Sequence, residues 1–442
     1  MPRQTLLLVA LAGLSLLSGA SQWAEAAPPV APGSGESRAC HSFSPEGIEA
    51  IQGMMEQAVA DRRITAAIAM LARGSEMVWL GTAGEMAPGT PMRSDAILPL
   101  ASVGKMYTAT AAMILYERSV IALDDPVSKY IPEFADVRIQ VTDKAGQTQL
   151  VGPHQPITVF HLLTHTGGLT VDGDEFWAAW DAHVGKTTTT HFARDLAALP
   201  LQSQPGERFE YGQTGASYEV LGAVIEISSG QTLEQFMLEN IFEPLDLDDS
   251  FFYLPAEKSE RLPEVYRMVD DELQLDRAHG EDFSRSTFFH GGGGVRSAPA
   301  DIQKFGRLFL QGGSVDGVRI LKEETIAMMM SDQLGDKAPQ RWKPRGLSWG
   351  FGAAVEYAPE DVEAGVPGQY GWVGGGFAKL WIDPKEGLIA YINFPLTPPG
   401  DNKLLIEFEE QVYAALSRNC DVALGGDDGP ADGLRLIHIR CQ

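Results

Sequence analysis

The sequence predicts an α+β protein, with one sheet built from strands near both ends of the chain and a mostly helical lobe inserted between them. Strand-like apolar segments occur within 66–80 and again within 377–394. Between about 101 and 284, by contrast, the chain consists mostly of helical segments broken by loops that contain Gly and Pro. A cleft between two such lobes is a natural place for a binding or catalytic site.

The N-terminal part of the predicted sheet follows an amphipathic helix. Ser44 can cap this helix, because apolar residues within 48–59 recur on one face. Apolar segments 66–71 and 77–80 come next and flank an Arg-Gly-Ser turn. We therefore expect a β-hairpin directly after the first helix.

The C-terminal part supplies the remaining strands and a closing helix. Helical patterns at 301–310 and 323–330 give way to strand-like segments at 377–382 and 388–394. Apolar residues spaced three and four apart within 404–416 then predict a last amphipathic helix. The two strand segments are expected to pair with the N-terminal hairpin in a single sheet.

The first 26 residues have the features of a secretory signal peptide. A short apolar run follows Arg3, and Ala24-Glu25-Ala26 has the A-x-A form that signal peptidase accepts. The alternative is a membrane anchor, but the run is short for a span of about 20 residues. We predict a signal peptide over 1–26 and a flexible Pro-, Gly- and Ser-rich linker over 27–43. The mature protein would be periplasmic or secreted, without a stable membrane span.

Composition excludes several classes of partner. The chain has 442 residues, 44% of them hydrophobic, and a formal net charge of −25. This apolar share supports a substantial core and excludes disorder across the chain. Because no long run of Lys or Arg is present, we expect neither nucleic acid nor an anionic membrane surface as a partner.

Three cysteines are too few for a disulfide-stapled fold. In an oxidising compartment, a bridge between Cys40 and Cys420 would tie the two ends of the core together. A Cys420–Cys441 bridge, or no bridge, remains open at this stage. None of the three has the spacing of metal ligands, and we expect no metal and no cofactor.

Two serines compete for the role of nucleophile, and the first is Ser348 in a G-x-S-x-G sequence. Asp383 and His438 follow in the order of a catalytic triad, and a run of four glycines after His290 resembles the oxyanion glycines of lipases. An elbow, however, needs a buried strand before the serine and a helix after it. Here the preceding stretch is polar and contains two prolines, and a strand-like segment follows. This context disfavours Ser348.

The second candidate is Ser102, which forms with Lys105 the only S-x-x-K sequence of the chain. The spacing of three would place both side chains on the same face of the first helical turn. A lysine in a dry cleft can take the proton of a serine hydroxyl, and the helix N-terminus offers a free N–H to an oxyanion. The alternative is a helix-capping serine with a solvated lysine.

His161 and His165 are four residues apart, a spacing that would allow both to bind a metal ion from one helix face. No Glu lies between them and no third ligand is evident nearby, so we interpret the segment as structural. His290 is interpreted as a loop or cleft residue rather than a catalytic one.

Several segments in a fixed order resemble the serine β-lactamase-related family, which includes class C β-lactamases, D-Ala-D-Ala carboxypeptidases and family VIII carboxylesterases. The resemblance covers roughly residues 44–418 and implies an antiparallel sheet flanked by helices. The matching segments are 98–108 (LPLASVGKMYT), 123–132 (LDDPVSKYIP), 162–169 (LLTHTGGL), 205–211 (PGERFEY), 244–245 (PL), 292–301 (GGGVRSAPAD) and 312–321 (GGSVDGVRIL).

The resemblance assigns a catalytic role to Ser102, Lys105 and Tyr211. In the family, the tyrosine of a Y-x-N motif shares proton transfer with the lysine, and Tyr211 holds that position. The asparagine position is Gln213, a departure that we still take as a substrate-binding position.

The third family motif is normally K-T-G or H-x-G, and here Trp372-Val373-Gly374 occupies the place. The backbone N–H of Gly375 would be the second oxyanion donor beside that of Ser102. A Lys or His at this motif would bind the free carboxylate of a penicillin or a D-Ala-D-Ala peptide, whereas Trp372 offers an apolar face. Trp372 and Gly374 are therefore expected to contact a neutral acyl compound.

The resemblance also organises the chain into one catalytic domain over 44–420. Its sheet lobe would comprise about 44–100 and 285–420, its helical lobe about 101–284, and 421–442 would form a loose tail. We predict an exported serine hydrolase that forms an acyl-enzyme with a small ester or amide. Two alternatives remain: a D-Ala-D-Ala carboxypeptidase or β-lactamase, and a catalytically inactive relative that binds such compounds.

Overall fold

Strands from both ends of the chain join one antiparallel sheet in the computed structural model of the protein. The structure describes residues 42–142, 146–169, 178–180, 186–212, 216–270, 272–278, 286–340, 342, 346–356, 368–397, 400–417, 420–421 and 440–441. The strands are β1 (Ser42–Phe43), β2 (Ala66–Arg73), β3 (Glu76–Ala87), β4 (Thr90–Pro91), β5 (Leu98–Pro99), β6 (Ile139–Thr142), β7 (Thr148–Val151), β8 (Ser250–Phe251), β9 (Val265–Val269), β10 (Glu272–Arg277), β11 (Arg296–Ser297), β12 (Ser314–Val315), β13 (Val318–Arg319), β14 (Leu347–Trp349), β15 (Ala354–Glu356), β16 (Tyr370–Gly374), β17 (Ala378–Asp383), β18 (Leu388–Asn393), β19 (Leu416–Ser417), β20 (Cys420–Asp421) and β21 (Arg440–Cys441). The α-helices are α1 (Pro45–Ala60), α2 (Lys105–Glu117), α3 (Val159–Leu163), α4 (Thr189–Leu196), α5 (Ala216–Ser229), α6 (Leu233–Met237), α7 (Pro299–Leu310), α8 (Glu323–Met329) and α9 (Asn402–Ala415).

The main sheet has eight strands in the order β14-β15-β16-β17-β18-β2-β3-β4. Strand β18, from the C-terminal part, pairs antiparallel with β2 from the N-terminal part, with Leu388 opposite Arg73 and Asn393 opposite Ile68. The hairpin β2–β3 and the strands at 378–383 and 388–393 lie where the hydrophobic patterns predict them. The α+β class is confirmed.

Helices cover both faces of this sheet. Phe408 of α9 contacts Trp381 of β17, with ring centroids 5.7 Å apart. On α7, Gly306 lies so close to Ile389 of β18 that a Cβ atom would stand 2.8 Å from its side chain. Trp381 pairs with Ala390, so Trp381 and Ile389 project from opposite faces of the sheet. Helices α7 and α9 therefore form the two outer layers.

The segment before the first helix, α1, pairs with the segment after the last helix, α9. Ser44 caps α1 by accepting a hydrogen bond from the Gly47 N–H, as its position before the apolar pattern predicts. The Ser44 N–H donates in turn to the carbonyl of Ala415, and β1 pairs with β19. Both ends of the domain thus lie at one place.

Helix α2 runs through the centre of the molecule. All of its side chains from Lys105 to Leu115 are buried, which is typical of a helix surrounded by protein on every side. The ring of Tyr107 stacks on Phe305 of α7, with centroids 3.6 Å apart. This packing fixes the helix that begins with Lys105.

The middle of the chain contains more β-structure than its sequence pattern predicts. Besides helices α3 to α6, it forms the two antiparallel hairpins β6–β7 and β9–β10. Both hairpins carry exposed apolar side chains, Leu150 and Leu275 among them. Because these short strands are largely solvated, they lack the clean alternation by which half-buried strands are identified.

The described residues belong to one compact unit. Within them, no helix combines the length and the apolar character needed to cross a bilayer. The predicted signal peptide and most of the linker, from Met1 to His41, lie outside the described residues, as does most of the predicted loose tail.

Candidate active site

The two residues of the S-x-x-K sequence lie in direct contact. Ser102 is on a 3-10 turn, Ala101–Gly104, and Lys105 is the first residue of α2. Ala101 has φ of 44°, a left-handed conformation that is rare for a residue with a side chain. The Lys105 Nζ lies 2.9 Å from the Ser102 Oγ. The sequence predicted both residues on the first helical turn, but this turn is the tighter 3-10 type, in which residues three apart eclipse each other.

The Lys105 Nζ lies between a backbone carbonyl and an aromatic ring. Only 1% of this lysine is exposed. Its Nζ donates to the carbonyl oxygen of Gly292 at 2.8 Å, and it lies 5.0 Å from the ring centroid of Tyr211. A buried amino group is tolerated when hydrogen bonds and aromatic contacts replace water. Lys105 thus links the serine to the predicted tyrosine.

Tyr211 has a partner that the motif comparison did not assign. The indole N–H of Trp372, on β16, donates to the Tyr211 Oη at 2.7 Å. The sequence predicted Trp372 only as an apolar surface for substrate. The side chain also orients the phenol, because the hydrogen bond fixes the position of its oxygen relative to β16.

An aromatic wall, which comprises Phe209, Trp342, Trp349 and Trp372, surrounds Tyr211. Trp349 and Trp372 meet edge-to-face at 4.8 Å, and Phe209 lies 4.9 Å from Trp342. Tyr211 lies 5.5 Å from Trp349. The described surroundings of the phenol are therefore largely aromatic, and Lys105 is the basic side chain that contacts its ring.

His165 packs behind Tyr211, where sequence reasoning predicted only a structural turn. Its ring centroid is 4.7 Å from that of Tyr211 and 5.0 Å from that of Tyr218. In the described part of the chain, neither ring nitrogen has a hydrogen-bond partner. Burial holds the pKa of His165 well below its ordinary value, and the charge of Lys105 acts in the same direction. The imidazole is therefore a neutral ring that supports the phenol.

The third motif lies against the turn that carries the serine. A Cβ atom on Gly374, the last residue of β16, would stand 2.2 Å from the carbonyl oxygen of Leu100. Gly375 and Gly376 follow with φ of 58° and 77°, a conformation that glycine adopts without strain. Glycine at 374 thus brings the strand next to Ser102. The assignment of the Ser102 and Gly375 N–H groups to an oxyanion stays a prediction.

The competing serine has the wrong surroundings for a nucleophile. Ser348 is completely buried on β14 and donates to the Asp332 carboxylate. The next element is the strand β15 rather than a helix, so no nucleophile elbow forms. Asp383, the acid of that hypothetical triad, accepts hydrogen bonds from the backbone N–H groups of Lys385 and Glu386. His438 lies outside the described residues.

The two histidines of the metal hypothesis do not share a helix face. Helix α3 ends at Leu163, so only His161 is helical, and its Nδ1 accepts from the Thr158 N–H at 3.1 Å. His165 lies beyond the helix, with φ of 53°. Within the described residues, no group of three or more His, Cys, Asp or Glu side chains is arranged to hold a metal ion.

Gln213 and Cys40 lie outside the described residues, so the predicted substrate contact of Gln213 and the Cys40–Cys420 bridge stay predictions. The backbone of Cys420 pairs with that of Cys441 where β20 and β21 lie antiparallel. This register brings together the cysteines of the alternative bridge.

The chain matches a family model described as Beta-lactamase over residues 51–413. It is 31% identical over 317 residues to an uncharacterized protein of Mycobacterium tuberculosis, covering 68% of this chain and 78% of that protein. Esterase EstB of Burkholderia gladioli is 29% identical over 399 residues, which cover 82% of this chain and 94% of the esterase. A similar solved structure is simvastatin synthase (LovD) of Aspergillus terreus, with 25% identity and a TM-score of 0.69 over 84% of this chain and 99% of that one.

Proposed function

The chain belongs to the Beta-lactamase family, and we propose that within it the protein is an exported serine hydrolase that forms an acyl-enzyme from neutral esters or amides. The fold is that of serine β-lactamases and D-Ala-D-Ala peptidases, and the family includes esterases and acyltransferases. The observation that carries the proposal is the contact of 2.9 Å between the Ser102 Oγ and the buried Lys105 Nζ, beneath Tyr211.

In the acylation step, the Ser102 Oγ attacks the carbonyl carbon of the substrate. Its proton moves to the Lys105–Tyr211 pair, and the carbonyl oxygen becomes an oxyanion between the N–H groups of Ser102 and Gly375. The bond from carbon to the leaving oxygen or nitrogen then breaks, and Tyr211 delivers a proton to the leaving group. The products are an acyl ester on Ser102 and a free alcohol or amine.

In the second step, an acceptor removes the acyl group from Ser102. Water attacks the acyl carbon, gives its proton to the Lys105–Tyr211 pair, and Ser102 recovers a proton as the acid departs. An alcohol in place of water would yield a new ester, and the likeness to simvastatin synthase makes this transfer a natural second outcome of the same intermediate.

The preference for neutral substrates rests on what replaces the usual cation of the third motif. Trp372 donates its indole N–H to Tyr211 and is itself part of the aromatic wall. A substrate carboxylate placed there would lose its hydration, and the indole of Trp372 carries no charge to replace it. An apolar acyl group would instead pack on the rings.

A panel of substrates tests the proposal. We expect hydrolysis of p-nitrophenyl butyrate, little turnover of nitrocefin, and weak labelling by a fluorescent penicillin. Ser102→Ala should abolish ester hydrolysis, whereas Ser348→Ala should retain it. Rapid penicillin labelling of Ser102 would instead favour a D-Ala-D-Ala peptidase or β-lactamase, and a wild-type protein that turns over none of these compounds would favour an inactive binding relative.

Export is proposed from the first 26 residues of the sequence. N-terminal sequencing of the mature protein from its native cells should begin at Ala27. A mature protein that still begins at Met1 or Pro2 would contradict cleavage.

A further inference from the structure

A buried carboxylate lies behind the catalytic lysine, on the side away from Tyr211. Glu219, on α5, has a side chain that is 0% exposed, and its carboxylate is directed at the glycine loop, which comprises residues 290–294. Its oxygens accept hydrogen bonds from the N–H groups of Gly291 at 3.2 Å and Gly292 at 2.9 Å. No step of the proposed reaction uses this group.

The loop also supplies a side chain to the same carboxylate. His290 places its Nδ1 2.5 Å from a Glu219 oxygen, while 29% of its own side chain is exposed. A buried carboxylate needs several donors to remain stable. Among the described residues Glu219 has three, and all of them come from three consecutive residues of one loop, so the carboxylate fixes the path of that loop.

This path decides where the lysine can lie. Gly292 donates its N–H to Glu219 and, with its carbonyl, accepts from the Lys105 Nζ at 2.8 Å. Gly291 offers its carbonyl to the Thr108 hydroxyl at 2.6 Å, one turn further along α2. The loop is thereby fastened to α5 on one side and to α2 on the other.

The loop also supports the turn that carries the nucleophile. A Cβ atom on Gly293 would stand 2.9 Å from the carbonyl carbon of Ala101. Displacement of the loop would therefore move both the oxygen that holds Lys105 and the backbone next to Ser102.

We propose that Glu219 is a positioning residue for catalysis, which acts through the glycine loop to hold Lys105 in line with Ser102. The inference rests on the proposed function, since it assumes that the lysine takes the serine proton. Misplacement of a proton acceptor by a fraction of an ångström slows the chemical step more than it weakens substrate binding.

Glu219→Gln tests this role, because the amide keeps the shape of the side chain but replaces one acceptor oxygen by a donor. We expect kcat for p-nitrophenyl butyrate to fall about 10- to 100-fold, with KM within about threefold of wild type. The matched control is Glu226→Gln, two turns along α5, where the carboxylate binds Thr190 and the N–H of Leu233. This control should leave kcat within about twofold.

Thr108→Val provides a second variant in case Glu219→Gln does not fold. It removes the hydroxyl that holds Gly291 while keeping the volume, and kcat should fall about three- to tenfold with KM little changed. Folding of each variant is checked by circular dichroism before kinetics.

Labelling by a fluorophosphonate distinguishes a failure of the positioning role of Glu219 from a failure of the proposed hydrolase function. If wild type is labelled at Ser102 and Glu219→Gln is labelled at least tenfold more slowly, the positioning role is supported. Equal labelling of wild type and a folded Glu219→Gln, or an equal loss in Glu226→Gln, would overturn it. If wild type is not labelled at all, the proposed function itself fails.

Discussion

The hydrogen bond from the Trp372 indole to the Tyr211 hydroxyl ties the third motif to the second. Sequence reasoning could assign Tyr211, because a tyrosine follows the Pro-Gly-Glu segment in the expected order. It could not find this bond, because the partners are 161 residues apart and meet only through the pairing of β16 with its neighbours. The same holds for Glu219 and Gly292, whose contact depends on the path of the glycine loop.

Trp372→Phe should lower kcat for a neutral ester about three- to tenfold, because it removes one hydrogen bond, typically worth about 0.5–1.5 kcal/mol, and keeps the apolar face. Steady-state kinetics with p-nitrophenyl butyrate measures the change. Trp381→Phe is the control, since Trp381 makes a similar bond to Tyr413 on the far side of the sheet. Equal losses in both variants would contradict a specific role of Trp372.

His161 gives the protein a predictable sensitivity to acid. Burial, with a smaller effect of Lys337, lowers the pKa of His161 from 6.5 to about 4. Between pH 4 and pH 6.5 the unfolded chain binds a proton at His161 that the folded chain does not. The contribution of His161 to the free energy of unfolding is therefore fully present above pH 6.5 and is lost as the pH falls towards 4. Within this pH range the free energy of unfolding falls by about 1.4 kcal/mol per pH unit.

His161→Gln should reduce this loss while preserving the cap of α3, because Gln at the third helical position can complete a capping box. Urea unfolding at pH 7 and pH 4.5 should show that wild type loses about 2 kcal/mol more than the variant does over this interval. His165 is present in both proteins, so its contribution cancels. Parallel losses in the two proteins would contradict the assignment.

At the scale of elements, the decisive contact is between the end of β16 and the 3-10 turn of Ser102. The sequence predicted that the N–H of Gly375 would lie beside that of Ser102 as a second oxyanion donor, and in the structure the preceding Gly374 lies against Leu100. The left-handed Ala101 and the 3-10 form of the turn could not be predicted, because an alanine does not signal positive φ. The helices at 45–60, 299–310 and 402–415 were predictable from their apolar faces, whereas the solvated hairpins were not.

Gly374→Ala should reduce kcat/KM for a neutral ester at least tenfold, because the new Cβ would force β16 away from the turn that carries Ser102. The control is Gly53→Ala, in the exposed interior of α1, where a Cβ meets nothing within 4 Å. That variant should keep full activity and gain about 0.5–1 kcal/mol of stability. Full activity of a folded Gly374→Ala would contradict the close approach of the strand.

At the scale of the whole molecule, the sheet explains why residues from distant parts of the chain form one site. Ser102 precedes α2, Tyr211 precedes α5, and the third motif lies on β16, and the core packs these three elements together. The net charge of −25 adds a long-range field to this arrangement. With Trp372 in place of a cation, the field should disfavour anionic substrates.

A charged ester tests the effect of this field. We expect kcat/KM for p-nitrophenyl hemisuccinate to be at least tenfold below that for p-nitrophenyl butyrate at low salt. The difference in kcat/KM between the two esters should become smaller as NaCl rises from about 0.05 M to about 0.5 M, because salt screens the repulsion. The kcat/KM for the neutral ester should change less than twofold over the same range. Equal rates for the two esters at low salt would show that net charge does not select the substrate.

The central claim is that Ser102 carries the acyl group, and peptide mapping after acid quench tests it most directly. Wild-type protein mixed with p-nitrophenyl butyrate and quenched within the first turnovers should carry one butyryl group, located on the peptide that contains Ser102. A butyryl group on the peptide that contains Ser348, or on any other residue, would contradict the account.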